Sequence, residues 1–225
     1  MTNRPHTNAS LESELRAINE QVLAMGHLVD AHVSDSVRAF VQRDVELAGR
    51  VIDADRAVNQ MELAVDEQCI RVLALYQPEA SDLRFVASTL KMVTDLERIG
   101  DLAVNMAEGV RLLAGQPPLP AASAIPGLAE RAQELLREVL DAFVANDAAE
   151  AAEILANAAA LGEPVRRLCA EVKTEMESAP EAIDRGVALL LFAQRIERMA
   201  DHVANIAEMT IYHVRGQDVR HARSV

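Results

Sequence analysis

Aromatic side chains are nearly missing from this chain: 225 residues hold no tryptophan, two tyrosines and four phenylalanines. Sheets draw on aromatic and β-branched residues, whereas the Ala and Leu that abound here favour helices, so the shortage points to helix packing. Cysteine is just as scarce. The two that occur, Cys69 and Cys169, form no CxxC or Cys/His pattern, which removes both a disulfide scaffold and a zinc site of that type. They stand 100 positions apart and read as equivalent small core residues rather than a disulfide pair. Positive charge is in deficit, with 22 Lys and Arg against 35 Asp and Glu and a net charge of −13. A nucleic-acid partner would call for basic stripes, so that class is set aside, while cations and basic protein surfaces suit the charge. Long apolar runs are missing too. The longest, Val187 to Ala193, is far short of the roughly 20 residues that span a bilayer. The opening MTNRPHTNAS has no signal-peptide core, and the expectation is a soluble, cytoplasmic protein.

What the chain does contain is a phrase used twice. ERIGDLAVNMAE runs from Glu97 to Glu108, and ERMADHVANIAE runs from Glu197 to Glu208. Glu, Arg, Asp, Asn, Ala and Glu recur at the same places, the mark of a duplicated structural unit. At about 100° per residue, Glu97, Asp101, Asn105 and Glu108 share a helix stripe roughly 80° wide. Glu197, Asp201, Asn205 and Glu208 do the same. Three acids on one face repel one another, and water, basic neighbours, a proton or a metal ion must offset that repulsion.

The periodicity predicts six helices. The first spans about Ser10, as N-cap, to Gln42, with Leu15, Ile18, Val22, Met25 and Val29 at helical spacing. The second runs from the Asp44 cap to just before Pro78, and the third from about Glu79 to Ala114. Gly115 to Gly127 carries four prolines and reads as a linker. A fourth helix covers about Leu128 to Ala145. A fifth starts at Asp147, where DAAE resembles a capping box, and runs to Ser178 with a kink or break at Gly162 and Pro164. The sixth spans Pro180 to Val214, and Gly216 stops it. The class is all-α: two tandem three-helix bundles, residues 1–114 and 128–216, joined by the Pro-rich linker 115–127 and followed by a flexible tail, 217–225.

The second helix has an acidic line of its own: Asp55, Asn59, Glu62 and Asp66 fall within roughly 60° of one another. Packed antiparallel to the third helix, it would face the Glu97–Glu108 stripe. Oxygen-only donors at such density suit hard cations such as Mn²⁺, Fe³⁺, Mg²⁺ or Ca²⁺. The second half does not repeat this line. Offsets of 99 to 103 recover no acid but Glu163, so a metal is expected in the first repeat before the second. The plain alternative is a solvated face, with Arg98, Arg195 and Arg198 as ion-pair partners. His202, beside Asp201, reads as an ion-pair or hydrogen-bond residue or as a ligand. Met92, Met106, Met199 and Met209 read as core.

DLERIGDLAVNMAE and RIERMADHVANIAE resemble the paired signatures of the PhoU family of phosphate-signalling proteins. QPEASDLRFV, Gln77 to Val86, resembles the opening of the third helix there, and YHVRGQDVRH, Tyr212 to His221, the family's C-terminal end. The resemblance covers nearly the whole chain. It implies two three-helix bundles related by a pseudo-twofold and a cytoplasmic negative regulator of phosphate uptake. Its implied partners are the membrane sensor histidine kinase of the phosphate regulon and the ATPase of the high-affinity phosphate transporter, through which the protein would sit peripherally at the membrane. It also implies multinuclear clusters of iron, or of manganese, magnesium or zinc, on paired E/DXXXD motifs. Glu97, Asp101, Glu197 and Asp201 would then be ligands, and Asp55, Asn59, Glu62 and Asp66 match the other half of the pattern.

A regulatory adaptor is therefore the leading expectation. The rival from another class is a carboxylate-bridged di-metal enzyme of the helical-bundle type. Such sites use Glu-x-x-His motifs, and no Glu in this chain has His three residues later. No nucleophile or general base is identifiable either. Surfaces rich in Ala and Leu can be core or interface, which leaves a homodimer open.

Overall fold

A computed structural model describes residues 5–220. Among these residues the chain forms seven α-helices and two short 3₁₀ turns and contains no strand. The helices are α1 (Pro5–Gln42), α2 (Val45–Tyr76), α3 (Ala80–Leu113), α4 (Ile125–Ala145), α5 (Ala148–Ala160), α6 (Gly162–Ser178) and α7 (Ile183–Arg215). Two departures from the periodicity are local. Helix α1 begins before Ser10, so Ser10 lies inside it rather than capping it. The stretch after the linker prolines first makes a 3₁₀ turn, Pro120–Ala124, and α4 starts at Ile125 because Pro126 fits a first helical turn, where its missing N–H is no loss. The fifth helix breaks at Leu161 into α5 and α6, where a kink or break was expected, with Pro164 two residues inside the new start.

The caps behave as their chemistry dictates. The Asp44 carboxylate accepts the Leu47 N–H at 2.9 Å, and Asp147 accepts those of Ala149 and Glu150 at 2.9 and 3.0 Å. Gly216 closes α7 at φ +68°, a left-handed position that glycine takes without Cβ strain. Residues 221–225 of the expected tail lie outside the described residues.

Helices α1, α2 and α3 pack together, and α4, α5, α6 and α7 form the second bundle. The two bundles share one core. Helix α3 lies along α7, and α1 along α4. The predicted apolar stripe of α1 is fully buried at Ile18, Val22, Met25 and Val29, and so are three of the four methionines read as core, Met92, Met106 and Met199, with the fourth, Met209, at 5% exposure. Few as they are, the phenylalanines sit where the repeats meet: Phe85 of α3 stacks on Phe143 of α4 at 5.5 Å, and Phe40 of α1 tilts against Phe192 of α7 at 4.3 Å. Burying each such ring is worth about 2–3 kcal/mol, so the aromatic residues bind the halves together. Of the cysteines, Cys69 is fully buried and Cys169 only partly; both are free.

Candidate functional site

The α2 stripe occupies the rim of that helix's buried face. Val58, Val65, Cys69 and Val72 are fully buried. By rotation, Asp55, Asn59, Glu62 and Asp66 lie about 70° around the helix from them, and all four are half-buried. The α2–α3 hairpin turns at Gln77, Pro78 and Glu79 and brings this line antiparallel to α3. A Cβ on Gly100 would stand 3.2 Å from Val58 Cγ1 and 3.8 Å from Asp55 Oδ1. The small residue thus lets the two helices close in at the level of the acids.

Five carboxylates meet there. Burial, followed by the Asp66 charge, raises the proton affinity of Glu62, and Asp101 adds to it. Burial, then Asp101, Glu62 and Asp55, does the same to Glu97, and burial raises Asp66. Arg98 is the cation that works against these shifts, at 3.5 Å from Glu97 and 3.3 Å from Asp101. Asn59 donates to Asp55 Oδ2 at 3.0 Å. That leaves Asp55 Oδ1, Asn59 Oδ1 and Asp66 Oδ1 out of water with no hydrogen-bond donor among the described residues. On the α1 side His32 is 6% exposed, its Nδ1 also has no partner there, and burial lowers its basicity against the pull of Asp55. His32 was not a sequence candidate. Its signal was its place on the apolar stripe of α1, between Val29 and Val33.

Not every stripe residue joins. Asn105 is exposed and donates to the Asp101 carbonyl at 2.7 Å. Glu108 turns toward α7, where its charge acts on Arg195. Across the same α3–α7 contact Asp95 accepts from Asn205 at 2.9 Å and lies 2.8 Å from His202 Nδ1. Positions 95 and 195, equivalent in the two repeats, thus each pair across the α3–α7 contact, Asp95 with Asn205 and Arg195 with Glu108, though with partners that are not equivalent. His202 therefore pairs with an acid, but with Asp95 of the other repeat rather than its neighbour Asp201.

The second repeat has a different neighbourhood. Glu197 faces Gly162, where an added Cβ would stand 3.0 Å from Glu197 Oε1 and 3.2 Å from Arg166 Nη1, and burial, followed by the Glu197 charge, raises the Cys169 thiol. Glu163, the single acid recovered by the repeat offset, is exposed and held by Arg166 at 2.9 Å. Asp201 is exposed, and Glu208 lines a groove with Lys91 and Arg220. Where the first repeat sets acids against acids, the second sets one acid beside an arginine and a thiol.

Tested against a hard cation, the first repeat fits in donor chemistry: all-oxygen ligands, three of their oxygens unpaired, and mutual repulsion that a cation would relieve. The second repeat offers a poorer set, because α5 and α6 bring no line of acids to Glu197 and Asp201, and Glu163, the one acid there, is exposed and paired with Arg166. Among the described residues no three His, Cys, Asp or Glu side chains already surround one point closely enough to hold a metal.

A protein-family model, the PhoU domain, matches the chain twice, over residues 22–110 and 125–210. The chain belongs to the PhoU family. The two matches correspond to α1–α3 and to α4–α7. A phosphate-specific transport system accessory protein PhoU homolog from Pseudomonas aeruginosa is 38% identical over 217 residues, covering 96% of this chain and 90% of the relative. The crystal structure of PhoU from the same organism superposes with a TM-score of 0.87 at 37% identity, covering 92% of this chain and 99% of that one. The crystal structure of the phosphate transport system regulatory protein PhoU from Streptococcus pneumoniae gives 0.87 at 31% identity, covering 93% and 99%. The PhoU architecture expected from the duplicated phrase is thus the fold observed.

Proposed function

We propose that this chain is a non-catalytic regulator of phosphate transport: a cytoplasmic adaptor that binds the transporter ATPase and the phosphate-sensing histidine kinase and lowers the signal for phosphate uptake. The observation that carries the reading is the two-domain PhoU match over both repeats, together with relatives of the same length named as transport-system accessory and regulatory proteins. No helix among the described residues is long and apolar enough to cross a membrane, which accords with contact to the membrane through partners.

In this reading the outer rim of α2 is a docking face. Leu63 and Ile70 are 67% and 60% exposed, on the side of the acidic line away from the core. An apolar strip edged by carboxylates suits a partner with a basic, apolar surface, and a second copy of the chain would compete for it. Asp55, Glu62, Asp66, Glu97 and Asp101 would hold a hard cation after side-chain rotation, with iron or manganese ahead of magnesium or zinc. A bound ion supplies positive charge that cancels the repulsion between α2 and α3. The chain's own residues do the rest: Asn59 orients Asp55, Arg98 neutralises part of the charge when no ion is bound, and Gly100 keeps the helices close.

The test is titration of the purified protein against the kinase's cytoplasmic region and the transporter ATPase. Binding to both at micromolar concentrations, without turnover of phosphate esters, is the expected result. No binding to either would overturn the adaptor reading.

A further inference from the structure

The corner between α1 and α2 holds a cavity that the adaptor reading does not use. It has a volume of about 430 Å³ and is formed by Phe40, Val41 and Arg43 together with the linker and α4 residues Pro118, Leu119 and Pro126. That volume falls within the range of small-molecule sites. The lining is apolar but for Arg43 and Ser123, and no acidic side chain contributes to it.

Arg43 is an unusual occupant of this corner. It follows the last residue of α1 with φ +57°, the left-handed position where glycine is the least strained choice. A long cationic side chain kept at such a place is an outlier that calls for a function. Its guanidinium lies 5.1 Å from the centre of the Phe40 ring, and its Nη1 is shut off from water with no hydrogen-bond partner among the described residues. The adjacent Asp44 is committed to capping α2. Arg185 of α7 acts on Arg43 through space as a like charge; it is tied to the linker by a 3.0 Å bond to the Pro117 carbonyl and lines the adjacent groove with Glu175. Neither arginine has a carboxylate within 4.0 Å among the described residues. In a chain with a net charge of −13, an arginine that lines an apolar hollow without a carboxylate beside it, and that feels a second arginine through space, forms an anion-binding corner with a greasy floor. Guanidinium groups favour planar or tetrahedral oxyanions, which they grip through paired N–H donors.

We propose that this cavity binds a small organic anion, a carboxylate or phosphate carried on an apolar body, with the charged end on Arg43, in the positive field that Arg185 adds from the neighbouring groove, and the body against Phe40 and the linker prolines. The site spans both repeats, and it is independent of metal and of partner proteins.

The test is fluorescence titration of the full chain with 1-naphthyl phosphate and 1-naphthoate, with 1-naphthol and inorganic phosphate as the probes lacking one half of the recognition. At least one naphthyl anion is expected to bind with Kd below about 1 mM, and the tighter of the two identifies the preferred head group. Naphthol and inorganic phosphate are each expected to bind at least about tenfold more weakly. Arg43→Gly, which suits the left-handed backbone and so keeps the fold, should weaken the anion at least about tenfold, with Arg185→Gln as a second variant acting in the same direction. Unchanged binding in Arg43→Gly, naphthol binding as tightly as the anions, or no anion binding below about 5 mM would overturn the proposal.

Discussion

Glu62→Gln should make this protein more stable. The substitution keeps the shape of a half-buried side chain and removes one charge from a group of five. Asp66 is four residues on along the same helix, and a like-charged pair at that spacing costs about 0.2–0.5 kcal/mol. Asp101 adds a cross-helix repulsion and Glu97 feels Glu62 in return, each of similar size in a partly wet site. Part is cancelled by a hydrogen bond from Thr94, which the Gln amide oxygen can still accept, and by Arg98; burial of the charged form, the largest influence on Glu62, outweighs that loss. The expected gain at pH 7.5 is about 1 kcal/mol, or roughly 2–4 °C in Tm for a chain of this size.

The assay is urea unfolding in EDTA, with Glu67→Gln on the exposed side of α2 as the control expected to change stability by less than about 0.5 kcal/mol. Because the folded proton affinity of Glu62 lies above its unfolded value, its stabilising contribution is full at acid pH and is lost as pH rises through the folded value. The advantage of Glu62→Gln should therefore shrink as pH falls toward about 4.5, where the wild type carries the proton itself. Buried His32 and His213 act with the opposite sign: burial lowers both, so their contribution is lost as pH falls. Comparing variant and wild type at each pH cancels that background. A Glu62→Gln protein no more stable than wild type at pH 7.5 in EDTA would refute the claim that these carboxylates repel.

The other expectations are briefer. In protein purified without tag or chelator, elemental analysis should find that Asp101→Ala lowers bound iron or manganese more than Asp201→Ala does, since Asp101 stands among acids and Asp201 does not; equal losses would remove the asymmetry between the repeats. Leu63→Lys and Ile70→Lys should leave urea stability within about 0.5 kcal/mol yet weaken ATPase or kinase binding about tenfold in a titration. Unchanged affinity would move the docking face off α2. Phe143→Ala removes a ring 1% exposed that stacks on Phe85 across the repeats. It should cost about 3–5 kcal/mol, with both repeats melting together by calorimetry. A separate early transition would mean the core is not shared.

Several elements were legible because local chemistry fixes them. Asp44, Asp147 and Gly216 act at helix ends as their side chains and φ preferences require. The apolar spacing of α1 marked residues that are in fact buried, because a long amphipathic helix has one stripe to hide. Where two local signals competed, boundaries moved. Ser10 is a good cap, but the helix continues upstream through it. Pro126 could end a linker or open a helix, and the 3₁₀ turn before it settled the matter for the helix.

The site was legible as a stripe but not as a set of neighbours. Rotation placed Glu97, Asp101, Asn105 and Glu108 together, yet Glu108 is drawn to Arg195 and Asn105 to its own helix turn, because α3 touches α2 on one side and α7 on the other. Likewise Asp95, absent from the candidate residues, holds both His202 and Asn205. His32 and the Arg43–Arg185 pair draw their character from partners far away in the chain.

The sequence alone determined the helical class, the duplication and the acid content of each repeat, since helical periodicity and caps act over a few residues and a repeated phrase is visible without coordinates. The tertiary structure decided which side of each helix meets which neighbour. Side chains on a helix radiate in all directions, and only packing selects the charges that face one another, the donors left unpaired, and the corner where Arg43 meets an apolar hollow.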